Sequence, residues 1–195
     1  GVVAQIVPWN GPLVMAAWKL APALAAGCTC VFKPAEQTPM STLLLGELFE
    51  QAGFPPGVVN IVTGDGKTGA ALVEHPGVDK IAFTGSSATA RKIIMQASGN
   101  LKKVSLELGG KSPVIVFADA NLEQAIPGAA EAILSNAGQV CVAGSRLLVE
   151  RPVFEQVVEG VSKIAKSLKL GSGFDPESQM GPLISEEHRN HVHSL

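Results

Sequence analysis

The chain has 195 residues, of which 46% are hydrophobic and 16% charged; that suits one sizeable core or two small ones and leaves too little charge for disorder. Its 15 basic and 17 acidic side chains leave a net charge of −2, which excludes the footprint of a nucleic-acid binder or a polybasic membrane patch. No apolar run reaches the roughly eighteen residues that cross a bilayer, because Lys19, Lys33 and prolines interrupt the candidates.

In chain order, β-branched runs alternate with longer amphipathic stretches. A strand over Val2–Val7 leads to a helix over Pro12–Ala25, then a strand over Thr29–Phe32 and a helix over Pro39–Gln51. Strand Val58–Val62, helix Gly69–Glu74, strand Lys80–Phe83 and helix Ser87–Ala97 follow. Strands Lys103–Leu106 and Pro113–Phe117 come next, then helix Leu122–Ser135, strand Arg146–Val149 and helix Pro152–Ser167. This alternation, with near-continuous apolar strands, predicts an α/β fold whose parallel sheet is flanked by helices on both faces. Pro12 and Pro39 fall near helix starts, where a missing N–H costs least. Gly53-Phe54-Pro55-Pro56-Gly57 ends one helix and turns the chain into the next strand. Leu108-Gly109-Gly110 is the best candidate for a domain crossing, since two glycines permit a backbone path other residues resist.

Both ends read as cut. Gly1 to Val7 is a strand already under way, with no Met start or basic-then-apolar leader, and His188 to Leu195 stops inside a helix-like polar segment. An internal piece of a longer protein is expected. Three cysteines, an odd number, argue against a disulfide framework and for a reducing cytoplasm. Cys28 and Cys30 alternate along a β-like run and should share one face; they read as small buried residues, since C-x-C lacks metal or redox spacing. His188, His191 and His193 are irregularly spaced without an obvious fourth ligand, so no metal is expected there.

In open parallel sheets, ligands bind beyond the carboxyl ends of strands, where helix N-termini offer unpaired N–H groups. Ile81 to Ser86 is a strand ending in a Gly-Ser turn at a helix start, which suits a pyrophosphate; it suits an ordinary N-cap equally well. Gly64-Asp65-Gly66-Lys67-Thr68-Gly69 allows close backbone approach but matches neither G-x-G-x-x-G with its acidic partner nor a P-loop, and reads first as a plain turn. Lys33-Pro34-Ala35-Glu36 follows a strand, where a lysine and a glutamate can bond adjacent ribose hydroxyls. The carboxylate repels a 2′-phosphate and so favours NAD over NADP, although a solvated charge pair is the plain alternative.

Asn10 in Pro8-Trp9-Asn10, Glu107 in Leu106-Glu107-Leu108-Gly109-Gly110-Lys111 and Cys141 in Gly138-Gln139-Val140-Cys141 supply an amide donor, a carboxylate base and a thiol. Read singly, Cys141 is a buried structural cysteine and Glu107 an edge-strand carboxylate. Together with Lys33-Pro34-Ala35-Glu36 and Phe83-Thr84-Gly85-Ser86, in this order along all 195 residues, they resemble the NAD(P)-dependent aldehyde dehydrogenase superfamily.

That resemblance implies a Rossmann-like cofactor domain running into an α/β catalytic domain, with residues 1–108 the last part of the first and 109–195 the first part of the second. It implies oxidation of an aldehyde to an acid with NAD, NADP being the alternative, in the hydrolytic, phenylacetaldehyde- or betaine-aldehyde-like class. Cys141 is then the nucleophile, Asn10 the oxyanion donor and Glu107 the base that activates water. Trp9, Lys33, Glu36, Gly66, Gly85 and Ser86 would hold the dinucleotide. Met15 and Trp18, three apart on the first helix and so expected on one face, would line the aldehyde channel with Gly11. Gly11 stands where many relatives carry a bulky aromatic, which widens the mouth. Ala90 replaces a frequent glycine, and Val140 and Val142 replace the further cysteines of some relatives. Lys19 is either a proton relay near Glu107 or a plain surface lysine. A small aldehyde is the expected partner, with no nucleic acid or membrane, in a homodimeric or homotetrameric parent.

Three other readings stand beside it. A CoA-acylating enzyme usually lacks the base that Glu107 supplies, and a phosphorylating one would need arginines that are not clustered here. An inactive nucleotide-binding piece is the third, because residues completing the family's site lie beyond these 195.

Overall fold

The computed structural model describes residues 1–195, which divide into two compact units, Gly1–Leu108 and Gly109–Leu195. The first is built on five parallel strands in the order β3-β2-β1-β4-β5, comprising β1 (Val2–Ile6), β2 (Thr29–Lys33), β3 (Val59–Ile61), β4 (Lys80–Thr84) and β5 (Lys103–Glu107). Helices α1 (Pro12–Ala25), α2 (Met40–Gln51), α3 (Gly66–Glu74) and α4 (Ser87–Ala97) connect them. The expected alternation is therefore present, and the parallel sheet is flanked by helices as the apolar strands required.

Two hydrophobic clusters cover the two faces of this sheet. Val7, Cys30 and Phe32 pack with Met15, Ala16 and Leu20 of α1. Ala4, Ile81 and Phe83 pack with Val73 of α3 and with Ala90, Ile93 and Ala97 of α4. The central strand β1 pairs β2 on one side and β4 on the other, Ala4 standing between Val31 and Ile81. The chain leaves β1 for one face and β4 for the other, so the strand order reverses between them.

Several boundaries move for local reasons. Helix α3 starts three residues before the expected Gly69, because the Asp65 carboxylate accepts from Lys67 N at 2.9 Å and Thr68 N at 3.4 Å. Cys28 lies outside β2, after Gly27 at φ +70°, and is half-buried, whereas Cys30 is fully buried; the two do not share one environment. Pro152 falls in a single 3₁₀ turn, Arg151–Val153, and the following helix begins at Phe154. Met15 and Trp18 also part company. Three residues set them only about 60° apart around the helix, yet Met15 is buried in the core while Trp18 is 67% exposed.

The second unit pairs β6 (Pro113–Val116) with β7 (Arg146–Val149) in parallel. Helix α5 (Leu122–Leu134) lies between them in sequence, with α6 (Phe154–Ser167) and α7 (Glu186–His193) following. Ala129, Ala130 and Val157 are its buried helix residues, and Gly160 of α6 is tight against Ile126 of α5, where a Cβ would come within 2.7 Å. No helix of the structure is long and apolar enough to cross a membrane.

Phe32, fully enclosed in the core, and Phe174, 100% exposed, make a matched test of where the stability lies. Phe32→Ala should cost about 3–5 kcal/mol, and Phe174→Ala less than about 0.5 kcal/mol, in urea unfolding monitored by circular dichroism. Similar shifts in both midpoints would contradict the core assignment.

Candidate functional site

Because all five strands of the first unit are parallel, their carboxyl ends lie along one edge of the sheet, and the residues singled out in the sequence collect there. Asn10 follows β1 and Lys33 closes β2. Gly66 opens the helix after β3, Gly85 and Ser86 follow β4, and Glu107 closes β5.

Lys33 is only 4% exposed, so its ammonium must be compensated. Its Nζ donates to Pro34 O at 3.1 Å and lies 3.5 Å from Glu36 Oε1, whose side chain is 45% exposed. An ammonium has three donors, and these two partners leave one for a hydroxyl. The pair is thus a buried cation beside a solvent-facing acceptor, the polarity that two adjacent ribose hydroxyls require.

The turn after β4 is held rigidly. Gly85 N donates to Glu107 O at 3.1 Å, which ties the ends of β4 and β5 together. A Cβ on Gly85 would fall 2.5 Å from the Phe83 ring, so only glycine fits. Ser86 is the N-cap of α4; its Oγ accepts from Thr89 N at 3.2 Å and donates to Thr89 Oγ1 at 3.0 Å. The capping role is therefore observed, and the first turn of α4 presents the positive end of the helix dipole at this edge of the sheet. Gly66 is exposed, with nothing within 4 Å of a built Cβ, on a turn capped by Asp65.

The loop carrying Trp9 and Asn10 is tied to the β2–α2 connection by Thr38 Oγ1, which donates to Trp9 O at 3.3 Å. Gly11 has nothing within 4 Å of a built Cβ, and its φ of −171° is open to any residue; packing within the unit does not demand glycine. Lys19 of α1 has its pKa lowered from 10.5, first by burial and further by Lys80, while Glu107 draws it back up. Lys19 and Glu107 therefore sense one another's charge.

Gln5 was not singled out in the sequence. It is 1% exposed in β1, and its Nε2 donates to Lys19 O at 2.6 Å. Pro22 inside α1 leaves the Trp18 carbonyl without its helical N–H donor, and Gln5 adds a side-chain donor to the next carbonyl, Lys19 O. A glutamine in an otherwise apolar central strand was the available signal.

Cys141 belongs to the second unit. It is a half-buried free thiol that follows three residues with positive φ, Asn136 (51°), Ala137 (55°) and Gly138 (75°). For Ala137 that conformation costs roughly 1–2 kcal/mol. The loop is braced against this strain. Asn136 Nδ2 donates to Gln139 O at 3.2 Å, Gln139 Nε2 donates to Asn136 O at 2.9 Å, and Gln139 Oε1 accepts from Ile184 N at 3.0 Å. Gly110 runs close by, since a Cβ there would lie 3.1 Å from Cys141 O. Strained backbone over-determined by its surroundings clusters at functional sites.

Comparison with known proteins bears on this arrangement. All of residues 1–195 match the profile of the aldehyde dehydrogenase family. A phenylacetaldehyde dehydrogenase of Pseudomonas fluorescens is 54% identical over 193 residues, which are 98% of this chain and 38% of the relative. A betaine aldehyde dehydrogenase of Staphylococcus aureus, solved in complex with NAD+, superposes with a TM-score of 0.95 at 46% identity, covering 100% of this chain and 39% of that one. A variant aldehyde dehydrogenase of Bacillus cereus gives a TM-score of 0.97 at 53% identity, covering 100% and 40%. The chain spans about two fifths of the length of the curated relatives it matches.

The depressed pKa of Lys19 sets a pH dependence of stability. The unfolded chain holds this proton up to 10.5 and the folded chain releases it earlier, so the unfolding free energy should rise with pH through the window below 10.5. Lys19→Met should flatten that rise in urea titrations across the alkaline range. An unchanged slope would mean that Lys19 titrates normally.

Proposed function

The chain belongs to the aldehyde dehydrogenase family, and from that membership we propose that it carries the cofactor-facing edge and the nucleophile of an enzyme oxidising aldehydes to acids with NAD. The observation that carries the reading is the gathering of Asn10, Lys33 with Glu36, Ser86 and Glu107 at one edge of one parallel sheet.

Lys33 and Glu36 bind the two hydroxyls of the adenosine ribose, and the half-exposed carboxylate disfavours a 2′-phosphate. The first turn of α4, at Ser86, takes the pyrophosphate, and the Gly85 turn and Gly66 keep side chains out of its way. Trp9 adds an aromatic wall. Cys141 attacks the aldehyde carbon through its thiolate, and the carbonyl oxygen becomes an oxyanion. The Asn10 amide and the backbone N–H of Cys141 donate to it, and one such donor is worth about 3–4 kcal/mol in the transition state. NAD, when bound, supplies the acceptor for the hydride that leaves as this adduct becomes a thioester. Glu107 then takes a proton from water, the hydroxide attacks the thioester and the Cys141 thiolate departs. Lys19, within the field of Glu107, passes that proton outward.

The activity belongs to a protein of the relatives' full length, working as a homodimer or homotetramer. Three free thiols support a reducing compartment such as the cytoplasm.

Mixing the full-length protein with NAD and an aldehyde, without CoA, should give steady NADH formation, whereas the 195 residues alone should give none. Glu107→Gln should release about one NADH per site and stall, and Asn10→Ala should lower kcat about 10²–10³-fold. Equal turnover in native and Glu107→Gln enzymes would remove Glu107 as the deacylating base. The open surface at Gly11 supports a wide channel mouth beside the exposed Trp18. Phenylacetaldehyde should therefore show a higher kcat/KM than acetaldehyde, and the reverse order would contradict that role of Gly11.

A further inference from the structure

We propose that the Asn10-Gly11 peptide is a site of spontaneous deamidation, at which Asn10 loses ammonia and becomes aspartate or isoaspartate, so that the protein carries a built-in limit on its catalytic lifetime. The covalent change stands on the geometry of this loop alone. Its effect on turnover rests on the assignment of Asn10 as oxyanion donor.

Asn10 is the one asparagine of the chain that precedes glycine; the others precede Ile61, Leu101, Leu122, Ala137 and His191. The reaction needs the backbone nitrogen of the following residue to reach the asparagine side-chain carbon. A β-carbon on that residue stands in the way, and glycine has none. Asn10 and Gly11 lie in the bend between β1 and α1, outside both elements and both half-buried, so water reaches them. The Gly11 carbonyl accepts from Met15 N at 2.8 Å, but the Gly11 N–H donates to no backbone or side-chain acceptor. The nucleophilic nitrogen is therefore open to deprotonation without loss of a hydrogen bond. Nothing lies within 4 Å of a Cβ built on Gly11, which leaves room for a ring to close.

Gly11 N gives up its proton to hydroxide and attacks Asn10 Cγ. The N–Cγ bond forms, the Cγ–Nδ2 bond breaks, and Nδ2 leaves as ammonia with a proton from water. Water then opens the resulting succinimide at either carbonyl. Cleavage of N–Cγ gives aspartate; cleavage of the original peptide bond gives isoaspartate, whose main chain runs through Cβ and Cγ. No group is oxidised or reduced, and water is the only co-reactant.

Either product puts a carboxylate, which only accepts, in place of an amide donor. An oxyanion beside it meets repulsion instead of a hydrogen bond, so kcat should fall at least as far as on removal of one donor, about 10²–10³-fold. The fold tolerates the aspartate. Helix α1 has no acidic residue in its first turn and no side-chain cap, so a carboxylate just before it favours the helix. Activity lost while stability is kept is the signature of this change.

The test is to hold the full-length protein at mildly alkaline pH and follow peptide masses, Tm and kcat over days. The peptide carrying Asn10 should gain the mass difference between amide and acid and become a substrate of isoaspartyl methyltransferase. The other asparagine peptides should keep their mass. Asp65-Gly66 can form the same ring only by losing water, which hydrolysis restores, so the mass gain separates the two sites. Loss of kcat should track conversion at constant Tm, and both should slow at mildly acidic pH. Gly11→Ala, accepted by a φ of −171°, should slow conversion about tenfold, roughly 1.4 kcal/mol on the barrier, its activity being read against its own unaged value. An Asn10 peptide that keeps its amide, or one that converts equally fast in Gly11→Ala, overturns the proposal. Full conversion with kcat unchanged would uphold the modification and remove Asn10 as the oxyanion donor.

Discussion

The site of the first unit depends on the parallel pairing of β1 with both of its neighbours. Parallel hydrogen bonding places every carboxyl end on the same edge of the sheet, and the reversal of strand order at β1 sends successive connections to opposite faces. Asn10 and Lys19 follow β1 towards one face, and Ser86 follows β4 towards the other. A crevice at that edge is thus a consequence of topology before any side chain is specified. The hydrogen bond from Gly85 N to the Glu107 backbone carbonyl then locks the end of β4 to the end of β5, so the Gly85-Ser86 turn and the Glu107 backbone cannot shift independently.

Buried polar groups turn that edge into a specific site. Lys33 would be an expensive core residue without Pro34 O and Glu36, and together they hold an ammonium at a fixed point with capacity for one more partner. Gln5 does related work under α1, where its amide meets the carbonyl of Lys19 one turn before Pro22. The helix that carries Met15, Trp18 and Lys19 is thereby anchored to the central strand by a directional bond as well as by apolar packing. Gln5 Oε1 and Thr84 Oγ1 are buried without a protein partner near the middle and the carboxyl end of the sheet, points where ordered water would complete the network.

Much of the fold was legible because the central strands β1, β2 and β4 are largely buried on both faces and so read as nearly unbroken apolar runs between amphipathic helices. Pro12 and Ser86 marked helix starts correctly, since a fixed φ and a capping hydroxyl are local properties. What escaped was non-local or hidden in a rotation. The Asp65 cap moved the start of α3, and Met15 went to the core while Trp18 went to the surface, which a spacing of three does not decide alone. The positive φ values of Asn136 and Ala137 escaped, because alanine does not announce a left-handed turn and a single asparagine does so far less than glycine. Gln5 looked like an anomaly in a strand, and its partner fourteen residues away became visible only with the fold.

The two units also spend their polarity differently, and that bears on what each contributes to a reaction. In the first, charge is paired and partly enclosed, which suits recognition of a large, hydrogen-bonding ligand. In the second, the strained loop around Cys141 is braced by neutral amides, Asn136 and Gln139, so no fixed cation stands ready to stabilise a thiolate from its own segment. A thiolate formed there in the proposed reaction would have to draw its stabilisation from backbone dipoles or from the charge of what binds beside it.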